Sequence, residues 1–166
     1  MSELLTLVAT LESPDGMARQ TARLELEAIG APAVDPLITV LQNGRNVAVW
    51  EAAKALVTIR DPKAAPALVE ALDNNDPGVR WVASDALIAL GARCLHPLLD
   101  ALANRPITGF IRQGAHHVLH TLISKNYMLT KYDEIAEPVL AALDGPEPTT
   151  AGQTAASDAL QKLDNQ

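Results

Sequence analysis

The chain has 166 residues, 48% of them apolar and only 3% aromatic, with 28 alanines, a single cysteine and a net charge of −7. Alanine favours helices and is depleted from strands, so an all-α core of Ala, Leu, Val and Ile in one domain is expected. Cys94 standing alone excludes a disulfide scaffold or a cysteine-based zinc site, and twenty acidic against thirteen basic residues argue against nucleic acid as the partner.

A first helix is predicted near residues 3 to 12. Its start lacks the basic segment and apolar run of a targeting signal, and nowhere do about 18 apolar residues follow without a break. No membrane span is expected, and the chain reads as cytoplasmic. Ser13-Pro14 opens a second helix that stops before Gly30, where a C-terminal glycine fits. Pro36-Leu37-Ile38-Thr39-Val40-Leu41 forms a third, and Ala48, Val49, Trp50, Ala52, Ala55, Leu56 and Ile59 space a fourth at helical period. Asp61-Pro62 and Asp76-Pro77 each place an N-cap before a proline at the first helical position and open the fifth and sixth. Gly91 closes the sixth, Pro97 to Leu102 lies in the seventh, and Arg105-Pro106 starts the eighth. An insertion near 124–132 precedes a ninth helix around Pro138 to Leu143, and a tenth is expected near 149 to 164.

These elements repeat. Leu41, Leu72, Leu102 and Leu143 end four copies of one pattern, at separations of 31, 30 and 41 residues. Val79, Arg80, Trp81, Ala83, Ala86, Leu87 and Leu90 have counterparts 31 positions earlier and 32 positions later. Each unit is a helix A followed by a helix B. The implied fold is a right-handed α-solenoid spanning 1–166, with four A/B pairs between a leading and a closing half-repeat. Small residues at the A-helix positions Ala22, Ala52, Ala83 and Ala115 let the paired helices approach closely.

The succession Asp76, Val79-Arg80, Ala83, Ala86-Leu87, Leu90-Gly91, then Pro97-Leu98-Leu99-Asp100-Ala101-Leu102, resembles the HEAT repeats, closest to the short bacterial subclass named after phycobilisome lyases. The resemblance runs from about Leu4 to Leu163. It implies an armadillo-like helical scaffold that binds protein. It also implies, as an alternative, handling of a tetrapyrrole such as a bilin or chlorophyll, with lyase-like chemistry if the protein is an enzyme.

The residues themselves call for no catalysis and no cofactor: no nucleophile, base and orienter trio is legible, and Gly-x-Gly is absent. Cys94 opens an apolar helix, where a buried structural thiol is the ordinary role. Arg19, Arg80 and Arg112 share one repeat position, with Asp15 and Asp76 four residues before the first two, which predicts a ladder of structural ion pairs. His116, His117 and His120 lie on the eighth helix. The spacing of His116 and His120 could present two nitrogens to a metal or pigment, although no zinc motif surrounds them.

Trp50 and Trp81 are repeat equivalents, two residues before the core alanine and so about 160° around the helix from it. They are candidate partner anchors on an outer face, or rings folded into the groove between repeats. On the B helices, Glu70, Asp100 and Glu137 suggest an acidic concave ridge for a basic or amphipathic protein segment. Tyr127 and Tyr132, both in the insertion, complete the set of partner-binding candidates.

Overall fold

A computed structural model describes residues 3–165, and among them ten α-helices, with no strand, alternate along the chain. They are α1 (Glu3–Thr10), α2 (Gly16–Ile29), α3 (Val34–Asn43), α4 (Asn46–Ile59), α5 (Ala65–Ala71), α6 (Pro77–Leu90), α7 (Leu95–Asn104), α8 (Gly109–Ser124), α9 (Thr130–Asp144) and α10 (Pro148–Asp164).

Local chemistry sets the helix ends. Asp15 accepts a hydrogen bond from the Met17 amide at 2.9 Å, and Asp76 accepts from Gly78 at 2.7 Å and Val79 at 3.3 Å. Thr108 receives the Ile111 amide at 3.1 Å. These caps satisfy donors that a helix start otherwise leaves unpaired. At the other end Gly30 and Gly91 take φ of +73° and +62° in a backbone region that side chains exclude, and their amides close back onto Leu26 and Ile88. Asp61 departs from expectation. It caps a short 3-10 turn, Pro62–Ala64, and α5 begins only at Ala65.

The helices form two rows. Helices α2, α4, α6 and α8 pack side by side as the A row, while α1, α3, α5 and α7 form the B row. Each of α1, α3 and α5 also packs on the A helix that follows it. The seam between the rows is the core. Leu26, Leu56, Leu87 and Leu119 recur along it from the A side, Leu11, Leu41, Leu72 and Leu102 from the B side, and all are buried. Burying each leucine contributes about 1.5–3 kcal/mol, and buried alanines, Ala22, Ala52, Ala83 and Ala115 among them, keep the seam thin. The most apolar stretch, residues 77–104, is not one span but α6, a 3-10 turn and α7, half buried within this core.

The last unit departs from the register. The insertion supplies a short loop after Ser124 and two extra turns at the start of α9, leaving Pro138 inside that helix, whereas Pro36, Pro66 and Pro97 sit in first turns. Helix α9 packs on α8, and α10 packs chiefly on α7 and α9. The closing helix was expected to extend the A row; it takes the next place beside the B row instead. Two contacts show α10 running antiparallel to α7: Gln153 near its start donates to the Arg105 carbonyl at 3.1 Å, and Asp164 at its end meets His96 at 3.4 Å. Gly152 permits the close approach, since a Cβ there would lie 3.2 Å from both Ile107 and Leu143.

Candidate functional site

The repeat register explains how a cleft arises on the A row. Position 51 of α4, 82 of α6 and 114 of α8 are equivalent, as are positions 23, 53 and 84 on the A helices that precede them, and Arg23 meets Glu51 directly. The three pairs are Arg23 with Glu51, Ala53 with Val82, and Ser84 with Gly114. The first pair is charged, the second fills its space with apolar groups, and the third has almost no side-chain volume. Gly114 is small by necessity, because a Cβ would stand 2.9 Å from Leu72 Cδ2.

Above Ser84 and Gly114 opens a cleft of about 300 Å³ whose walls are Arg80, Trp81, Phe110, Gln113 and His117. Trp81 is 61% exposed, yet its ring stacks on His117 with centroids 5.2 Å apart and planes 26° from parallel. The Arg80 guanidinium lies over the Phe110 ring at 4.0 Å. Both readings of this tryptophan therefore hold in part: one face leans on the next repeat and the other meets solvent. Phe110 escaped the sequence reading. It occupies the repeat position of Gly78, where a Cβ would stand 3.7 Å from the Trp50 ring, so a residue beside each tryptophan was the signal available.

Trp50 is 38% exposed and borders a depression of about 260 Å³ whose charges already meet one another. Arg23 donates to Glu51 at 2.9 Å and to Glu27 at 2.6 Å, and Arg19 Nε lies 3.6 Å from the same buried Glu51. The expected Asp–Arg ladder is not formed. Asp15 and Asp76 cap helices, while Arg19 donates to the carbonyl of Ser13 at 2.8 Å, Arg80 to those of Asn74 and Asn75 at 2.8 and 3.0 Å, and Arg112 to Leu143 at 2.8 Å. The shared position is structural, but it ties loops and a helix end, and the one carboxylate it meets is Glu51 beside Arg19 rather than Asp15 or Asp76.

On the B row the acidic ridge is partly neutralised within the chain. Glu70 meets Arg105 at 3.4 Å, Asp35 meets Lys63 at 2.6 Å, and Asp73 accepts from the Thr108 hydroxyl. Asp100 is exposed and accepts from Asn104 at 2.9 Å, with no cation within 4 Å among the described residues. Glu137 is exposed too, but α9 does not continue the row of α5 and α7, so the three acids do not form one ridge.

The remaining candidates disperse. His116 lies 3.0 Å from Asp144 and stacks on His120 with ring centroids 5.9 Å apart, while His117 belongs to the cleft. Among the described residues no three metal-ligating side chains converge. Tyr127 is exposed beside Val57 and Ile88 at the ends of α4 and α6, whereas Tyr132 is half-buried against the core. Cys94 is buried, and loss of solvent pushes its thiol pKa up to about 12, far from that of a nucleophile.

A family model described as HEAT repeats matches residues 4–88. No curated protein matches the chain. Among solved structures, an engineered protein is 19% identical, covering 98% of this chain and 80% of its own, with a TM-score of 0.50. A designed armadillo repeat protein in complex with the peptide (KR)4 is 20% identical over 98% of this chain and 92% of its own, with a TM-score of 0.45.

Proposed function

This chain belongs to the HEAT-repeat family, and on that premise we propose that it is a protein-interaction module whose cleft between α6 and α8 receives a side chain from a linear segment of a partner protein. The observation that carries the reading is the Trp81 ring, largely exposed and already braced on His117, beside an arginine braced on Phe110. Trp and Arg are the residue types that dominate binding energy at interfaces, and side chains held in place before binding lose little entropy when a partner arrives.

The acidic B row, with its basic or amphipathic partner, is the less supported surface. Pairing of Glu70 with Arg105 and of Asp35 with Lys63 leaves less net charge there than the sequence implies. The tetrapyrrole alternative draws on the same Trp81–His117 stack, but a cleft of about 300 Å³ stands at the small end of ligand sites, which span about 300–1,000 Å³. A pigment reading predicts a visible absorption shift with bilins or haem that disappears in His117→Ala.

The binding reading is tested by selecting a displayed peptide library on the pure full chain and, in parallel, on Trp81→Ala. Sequences enriched on the first and lost on the second are the expected result. Equal enrichment on both chains, or none on either, overturns the placement.

A further inference from the structure

Resting on that reading, we infer that the segment accepted by this cleft carries one carboxylate, taken up by Arg80, next to an aromatic side chain that stacks on Trp81. The charge inside the cleft is opposite to that of the chain as a whole. Arg80 Nη1 is committed to the carbonyls of Asn74 and Asn75, whereas Nε and Nη2 have no hydrogen-bond partner among the described residues. No carboxylate among the described residues comes within 4 Å of the guanidinium. Asp76, the acid that starts α6, has its carboxylate turned to the amides of Gly78 and Val79.

The guanidinium is therefore positioned but electrostatically unanswered. It is held at one nitrogen by two carbonyls and on one face by Phe110, so two adjacent N–H groups remain for a planar acceptor, the arrangement a carboxylate matches in a bidentate pair. Gln113 and His117 line the same cleft with further polar edges. Because Arg80 and Trp81 are consecutive, the acid and the ring must also be near neighbours in the partner. The cleft is small, about 300 Å³, so the acid and the ring must enter it side by side. The net charge of −7 sets a further limit: long-range repulsion disfavours a run of acids, so a lone carboxylate in an otherwise neutral segment is the occupant.

The two tryptophans make the test residue-specific, since each contributes one indole N–H signal to a nitrogen–proton correlation spectrum, and Trp81→Phe identifies which is which. The full chain is titrated with four blocked pentapeptides: one with Phe and Glu flanked by glycines, one with Gln for Glu, one with Lys for Glu, and one with Ala for Phe. The Glu–Phe peptide should move the Trp81 signal and leave that of Trp50 in place, with each replacement weakening binding about tenfold or more. In Arg80→Lys, which keeps the charge but loses the fork, the preference for Glu over Gln should narrow. Equal binding of the Gln or Lys peptide overturns the acidic occupant while leaving the cleft as a docking site. A Trp81 signal that none of the peptides moves overturns both.

Discussion

Trp50 and Trp81 stand at the same repeat position on successive A helices, yet the ground beneath them differs. Near Trp50 the facing pair is Arg23 and Glu51, side chains that are 14% and 7% exposed and close on one another. By repeat register the matching pair beside Trp81 is Ala53 and Val82, both apolar, and the cleft opens on the other side of Trp81, over Ser84 and Gly114, walled by Phe110, Arg80 and His117. A repeat fold thus separates two demands. The leucine and alanine seam must be kept in every unit, but the equivalent pair at successive A-row interfaces can be charged, apolar or nearly absent without changing the stack.

The comparison breaks most sharply at the buried charges. Glu51→Val leaves Arg19 and Arg23 short of their carboxylate and should cost about 3 kcal/mol in chemical denaturation. Adding Arg23→Ala copies the Ala53–Val82 pair of the next interface and should recover roughly half of that loss or more. If the double variant is as unstable as the sum of the two single changes, the pairs are not interchangeable and the equivalence fails.

At the cleft, Gly114→Ala brings a methyl to 2.9 Å from the fully buried Leu72, which should cost about 1–3 kcal/mol and lower the thermal midpoint. Gly109→Ala, with open space around it, should be close to neutral, so matched thermal melts isolate packing from the loss of a glycine.

The smallest effect belongs to the first units, where Glu12 ties α1 to the start of α4. The Arg45 amide, 3.0 Å from its carboxylate, lowers the Glu12 pKa below the ordinary 4.5 against the opposing effect of burial, and the Arg45 side chain assists. A lowered carboxylate pKa stabilises the fold above the unfolded value, and that contribution fades as pH falls through the folded value. With Arg45 75% exposed it is worth under about 1 kcal/mol. Stability measured from pH 6 downward should lose this increment in the native chain and show a shallower acid limb in Glu12→Gln.

Much of the fold was legible because it is periodic. Leucines and alanines recurring near every 30 residues, with capping aspartates and C-terminal glycines between them, reveal helix order, row membership up to α8 and nearly the whole core. The candidate site was half legible. Trp81, Arg80 and His117 were each singled out, but for three different roles, and nothing in their spacing joined them. Phe110 lay outside every pattern, since a side chain in the first turn of a helix has its neighbours set by the helix alongside, not by its own.

The amino-acid sequence by itself determined the solenoid, because a seam of small and branched apolar residues at fixed intervals can be buried only by stacking one unit on the next. Tertiary structure alone decided the rest. It sent α10 beside α7 instead of α8, turned the repeated arginines toward carbonyls, and opened the cleft over Ser84 and Gly114. Periodicity specifies which face of a helix is buried, whereas the partner of each exposed or polar side chain depends on distances between segments far apart in the chain.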